Sequence, residues 1–223
     1  MRPILELDPT FDYTATFLWA TSGALLAMGR GYDIVGVVLI AMVSALGGGL
    51  IRDSIFLDRQ PVLIRQPTYL LLVAIAVVVV LVFGRFVRES HLYARIIDVV
   101  DALGVGAYAL VGLTLALSAG LPVIGVILVG IVTAVGGSLL RDIFMHRELA
   151  LLQPGVPLAP LALLACLLYL VVLELILPDP QIAGVVAISA AFGLRLLALR
   201  FGWSTHPLLL RQRETPTENK VET

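Results

Sequence analysis

The chain has 223 residues, a net charge of -1, 59% hydrophobic and only 14% charged residues. Those proportions exclude an ordinary soluble domain. Near-neutral charge, with no basic stripe interleaved with aromatics, gives no sign of a nucleic-acid partner, and the lone Cys166 excludes an internal disulfide.

Apolar runs of spanning length recur from end to end. Seven spans are predicted: Phe11–Gly29, Tyr32–Phe56, Pro67–Val87, Val99–Ser118, Leu121–Met145, Val156–Leu177 and Gln181–Phe201. Asp12 stands near the start of the first. Arg30-Gly31 makes a tight turn into the second, which ends in Gly47-Gly48-Gly49, two aliphatics and Arg52-Asp53. Gln66-Pro67 opens the third. Asp101 stands near the start of the fourth, and Ala119-Gly120 leads to the fifth. That span ends in Gly136-Gly137-Ser138, two aliphatics and Arg141-Asp142. Gln153-Pro154 precedes the sixth, and Pro178 and Pro180 separate it from the seventh. The N-terminus lacks the basic region of a signal peptide, so the first span is expected to stay.

Residues 12–56 align on 101–145 without a gap at an offset of 89, with 16 identities in 45 positions. The repeat unit is three helices long. An odd number of spans places the second copy upside down, so the expected fold is all-α and integral to the membrane. It is an inverted 3+3 repeat plus a seventh helix. Residues 1–205 form one transmembrane domain, with repeats at about 11–90 and 98–178 and the last helix at about 181–201; residues 206–223 form a flexible polar tail. Arg2, Arg52, Arg59 and Arg65 lie on one side. Arg30, Arg85, Arg88, Arg95, Arg141, Arg147, Arg195, Arg200, Arg211, Arg213 and Lys220 lie on the other. Positive-inside asymmetry then places the N-terminus outside and the C-terminus in the cytoplasm.

Each interior glycine costs a helix about 1 kcal/mol relative to alanine. Two clusters at matched positions therefore predict a kink or unwound segment in the second and fifth spans. Such breaks free carbonyl oxygens near the midplane, where Ser44, Thr133 and Ser138 add hydroxyls. The alternative is close packing of small residues between helices. Each charge at the bilayer centre costs roughly 2.5–3.5 kcal/mol on insertion scales. Arg52, Asp53, Arg141 and Asp142 are therefore expected to face protein or water. They are either paired or snorkelling anchors, or guards of a pore mouth. Asp12 and Asp101 are favourable carboxylates near helix N-termini, or the acids of a cation-attracting vestibule. No motif for a cofactor or a resident metal is present, and no cluster reads as an enzyme's.

The duplicated glycine and Arg-Asp pattern on seven spans resembles prokaryotic members of the trimeric intracellular cation (TRIC) channel family. Those members are grouped with a bacterial family labelled glycine-transporter-like. The likeness covers roughly residues 10–205 and includes the Leu194–Trp203 ending of the last helix. It implies a homotrimer in the inner membrane of a prokaryote. Each subunit would have a pore for K+ and Na+, lined by the first, second, fourth and fifth spans and kinked at the glycines. Ser138 departs from a full second triplet. The other expectation is a secondary transporter of a small zwitterion such as glycine, because inverted repeats with broken helices also build carriers.

Overall fold

The computed structural model describes residues 7–89, 93–149, 151, 158–176, 178–201 and 203. These residues form eight α-helices and one π-helical turn, with no strand among them. Helix α1 (Pro9–Gly29) starts where Asp8 accepts the Thr10 amide at 2.8 Å, with Pro9 at a position that needs no N–H. Gly31 ends it at φ +78°, a left-handed backbone that favours glycine. Asp33 accepts the Gly36 amide at 2.8 Å and caps α2 (Ile34–Ile51), which runs into the π turn Arg52–Phe56. Then come the short α3 (Val62–Arg65), α4 (Thr68–Glu89), α5 (Tyr93–Ser118), α6 (Val123–Phe144), α7 (Leu158–Leu175) and α8 (Pro180–Phe201). Gly120, at φ +77°, turns α5 into α6 just as Gly31 turns α1 into α2, 89 positions earlier.

The hairpins α1–α2 and α5–α6 face each other, α1 against α5 and α2 against α6. Helix α4 packs on α1 and α2, α7 on α5 and α6, and α8 on α5 and α7. Alanines fill the contacts: Ala15, Ala20, Ala24, Ala41, Ala109, Ala116, Ala162 and Ala187 are all fully buried. Small residues let backbones approach closely where apolar solvent offers helices no hydrophobic drive to associate. Outward faces are the reverse, with Leu71, Val78, Val82 and Phe86 on α4 and Val185 and Leu197 on α8 exposed. This is the surface of a chain solvated by lipid.

The pairing between the two copies is reciprocal. A Cβ placed on Gly23 would lie 2.6 Å from the Ser44 Cβ; placed on Gly112, it would lie 2.6 Å from the Thr133 Cβ. A Cβ on Gly48 would overlap the Thr133 carbonyl oxygen, and one on Gly137 the Ser44 carbonyl oxygen. Each member of these pairs stands 89 positions from its counterpart.

By length and composition alone six of the seven expected spans are matched, and other expectations are corrected. Among the described residues, six helical segments are long and apolar enough to cross a membrane, Ile34–Phe56, Thr68–Phe86, Tyr93–Ser118, Val123–Phe144, Leu158–Leu175 and Pro180–Phe201. Helix α1 is not among them, because Thr10, Asp12, Thr14 and Thr16 make its first half polar. No unwound segment is found: α-helical hydrogen bonding continues through Gly47, Gly48 and Gly49 in α2 and through Gly136, Gly137 and Ser138 in α6. In apolar surroundings each unwound amide loses its partner, and the missing Cβ atoms serve the α2–α6 crossing instead. Among the described residues, the departure from α geometry next to these glycines is the π turn, and it begins after them. The fourth span starts at Tyr93, so Asp101 lies inside a helix rather than at its start. Gln153-Pro154, the ends Val156 and Leu177 of the sixth predicted span, and the tail 206–223 lie outside the described residues.

Candidate functional site

Two buried charge clusters lie on either side of the α2–α6 crossing. The first forms where the start of α1 meets the π turn after α2. Asp53 is fully buried, and its Oδ1 accepts Arg52 Nε at 2.8 Å and Arg59 Nε and Nη2 at 2.9 and 2.8 Å. Its Oδ2 accepts the Val62 amide at 3.0 Å. One carboxylate thus holds two guanidiniums and ties α3 to the π turn. The Arg52 side chain is only 2% exposed, so it does not snorkel. Its Nη1 has no hydrogen-bond partner among the described residues. Asp12 lies across from it and accepts the Tyr69 hydroxyl at 2.6 Å.

These residues border space. A cavity of about 300 Å³ opens between Asp8, Asp12, Tyr13, Arg59, Arg65 and Tyr69. Asp12, Val62 and Tyr69 also line a second, deeper cavity of about 20 Å³, which reaches Gly49, Arg52 and Tyr108. The deeper one is large enough for a single water. Carboxylates and guanidiniums at the mouth can hold hydrated ions of either sign, and the narrow end admits only a small or partly dehydrated one.

The second cluster is built from the matched residues. The Arg141 side chain is 3% exposed; its Nη1 donates to Ser22 Oγ at 3.0 Å. Its Nη2 is 3.5 Å from Asp101 Oδ2 and its Nε 3.6 Å from Asp142 Oδ1. The guanidinium lies 5.5 Å from the Trp19 ring centre, within cation–π range. Asp101 Oδ1 is buried without a hydrogen-bond partner among the described residues. Beyond it Arg195, from α8, pairs with Asp98 at 3.8 Å. Ten residues of α1 separate Asp12 from Ser22, so the clusters are about 15 Å apart along that helix.

The structure therefore brings Asp12 to Arg52 and Asp53, and Asp101 to Arg141 and Asp142. Gly49 borders the deeper cavity. Gly47, Gly48, Gly136 and Gly137 lie in the helix crossing. Ser44 is buried with its hydroxyl unpartnered among the described residues. The Thr133 and Ser138 hydroxyls bond back to Val129 and Val135 of their own helix, at 2.6 and 2.8 Å. Sequence reasoning missed Tyr69, Tyr108, Trp19, Thr16 and Arg59. The available signal was Trp19 and Tyr108, aromatics 89 positions apart inside the repeat.

The model of the glycine transporter family matches residues 9–85 and again 98–174, offset by the same 89 positions. A membrane protein of the UPF0126 group from Deinococcus radiodurans is 32% identical over 61% of this chain and 62% of its own length. The UPF0126 inner membrane protein YadS of Escherichia coli is 32% identical over 63% and 67%. The chain thus spans about three fifths of the length of the first curated relatives it matches. Among solved structures, a chain described in connection with conductance through TRIC cation channels superposes with a TM-score of 0.78 at 30% identity, over 92% of this chain and 98% of the other. The TRIC trimeric intracellular cation channel orthologue from Rhodobacter sphaeroides does so at 0.78 and 26% identity, over 87% and 97%.

Proposed function

The chain belongs to the glycine transporter family, and on that premise we propose that it is a cation channel with a conduction path in each subunit. The observation that carries the reading is the likeness in fold, over nine-tenths of the chain, to TRIC cation channels. The path runs between α1, α2, α5 and α6, from the cavity at Asp12 past Arg52 towards Arg141. It carries monovalent cations, K+ and Na+, across the inner membrane of a prokaryote.

An inverted repeat with α1 as its first span, α8 outside the symmetry and one domain over residues 1–205 is supported by the reciprocal glycine contacts. At 21 residues, α1 is about 31 Å long, enough to cross a hydrocarbon core of about 30 Å. Its polar first half then faces the path rather than lipid. The orientation, N-terminus outside and C-terminus in the cytoplasm, follows from the arginine asymmetry. The homotrimer is supported by the likeness in fold to the trimeric intracellular cation channel orthologue from Rhodobacter sphaeroides.

Asp12 and Asp101 draw cations to the two ends, where charge in a low-dielectric channel acts over several ångströms. Arg52 and Arg141 oppose passage, and Asp53 and Asp142 hold them. A potential of 100 mV supplies about 2.3 kcal/mol per charge, so conduction needs a wet path with low barriers rather than a deep binding site. Gly48 and Gly137 bring α2 and α6 close, and Gly49 leaves room at the narrow end. Carbonyl ends freed by unwinding have no part in this mechanism.

Planar bilayers holding the purified chain under a K+ gradient test it. Wild type is expected to pass K+ current without any amino acid present. Arg52→Ala and Arg141→Ala are expected to change unitary conductance or open probability. Saturable, substrate-dependent glycine uptake without K+ current would replace the channel by a carrier.

A further inference from the structure

The deeper cavity stops at an aromatic ring that the mechanism above does not use. Tyr108 on α5 is 4% exposed and lines that cavity with Asp12, Gly49 and Arg52. Its hydroxyl donates to the Ala45 carbonyl oxygen at 2.5 Å and lies 2.9 Å from the Thr16 hydroxyl oxygen. One oxygen thereby ties three helices, α1 through Thr16, α2 through Ala45 and α5 through Tyr108. Thr16 stands one turn after Asp12 on the same face of α1. Ala45 is four residues before Gly49, and a carbonyl has a second lone pair left after its helical bond.

A carbonyl, a hydroxyl and a carboxylate one turn away are hard oxygen ligands that can partly replace the hydration shell of a monovalent cation. In the structure an O–H donor occupies that place: its hydrogen, given to the Ala45 carbonyl oxygen, stands where a positive ion would, and the Thr16 hydroxyl donates to the phenol oxygen. We propose that Ala45 O and Thr16 Oγ1 form a cation station, and that the Tyr108 hydroxyl is the tethered plug that fills it when the path is shut. Conduction then requires the ring to swing off and a cation to take its place. The proposal rests on the channel reading and adds a gate to it.

The repeat shows why the device is one-sided. The residue 89 positions before Tyr108 is Trp19. Its indole lies beside Arg141, and a Cβ on Gly104 would be 2.6 Å from its Nε1. Both arginines therefore have an aromatic neighbour, but only Tyr108 carries a hydroxyl. If it serves only as packing, its loss changes stability alone. If it competes with the ion, its loss changes how the channel responds to the ion.

The test is single-channel recording of the full chain in planar bilayers over a range of KCl concentrations. Wild-type open probability is expected to rise with KCl, because the cation displaces the hydroxyl. Tyr108→Phe keeps the ring and is expected to shift the closed-to-open ratio about tenfold towards open, the scale of one or two lost hydrogen bonds. Its KCl dependence should be abolished. If wild type passes no cation current, the channel reading itself falls. If wild type conducts while Tyr108→Phe stays within about twofold in open probability and keeps the KCl dependence, the plug is refuted. Should that variant not assemble, Thr16→Val leaves the ring and one acceptor in place. It is expected to weaken the KCl dependence, and an unaltered dependence overturns the proposal.

Discussion

Adding one methyl group to each of two adjacent glycines should have opposite effects. At Gly48 a Cβ would overlap the Thr133 carbonyl oxygen, which is helix backbone and cannot turn aside. At Gly49 the nearest atom is Arg52 Nη2 at 3.5 Å, an ordinary contact. Both substitutions gain about 1 kcal/mol of helix propensity. Gly48→Ala must also push α2 and α6 apart along a crossing filled with alanines, and overpacking of this kind costs about 1–3 kcal/mol. The expected net effects are a loss of up to about 2 kcal/mol for Gly48→Ala, and no change or a gain of up to about 1 kcal/mol for Gly49→Ala. Gly137→Ala, which meets the Ser44 carbonyl oxygen, should match Gly48→Ala. The double variant should lose less than the sum, because the first methyl already separates the helices the second would strain. The assay is reversible unfolding in mixed micelles followed by circular dichroism. If Gly48→Ala proved as stable as Gly49→Ala, or more so, the close crossing of α2 and α6 would be refuted.

Asp53→Asn should be among the most damaging single polar substitutions, because it leaves Arg52 buried without its counter-charge; the cost expected for breaking a buried pair is about 3–5 kcal/mol, read by the same unfolding assay. Arg59→Ala should cost less, about 1 kcal/mol or below, since the Arg59 side chain is 29% exposed and water screens its pairing. Asp12→Asn should lower K+ conductance at low salt more than at high salt, because a fixed charge at a mouth is screened with a Debye length of about 10 Å at 0.1 M; equal loss at both salts would remove Asp12 from the electrostatic role. The Thr10 hydroxyl and amide bonding to Asp8 hold its carboxyl below the ordinary carboxylate range. A depressed pKa in the fold stabilises above the unfolded value and is lost as pH falls through the folded one. The protection of the Thr10 amide against exchange, relative to its intrinsic rate at each pH, should therefore fall in acid below about pH 4, and Asp8→Asn should remove that pH dependence.

Much of the architecture is legible in the residues because it depends on local chemistry. Apolar length announces spans. Gly31 and Gly120 announce the two tight turns, because a left-handed residue in a short connection favours glycine. The Arg-Asp pairs can be expected away from lipid because isolated charge in hydrocarbon is costly, and both arginines are indeed enclosed by protein. The family can be recognised from the same repeated pattern. The glycine clusters are where local reasoning failed. Low helix propensity favours a break as readily as a crossing, and the choice depends on what stands opposite.

The sequence by itself determined that this chain is helical, membrane-embedded and duplicated, with paired charges at matched places in both copies. Those features follow from composition, span length and the cost of unpaired charge in an apolar solvent. Only the tertiary structure decided that the glycines press α2 against α6 without unwinding. It alone assigned Asp53 to Arg59 and the Val62 amide as well as to Arg52, Asp101 and Ser22 to Arg141, Asp98 to Arg195, and the Tyr108 hydroxyl to Ala45 and Thr16. Most of these partners come from different helices, tens of residues apart. Distance along the chain carries no record of which helix faces meet, whereas the geometry of their crossing does.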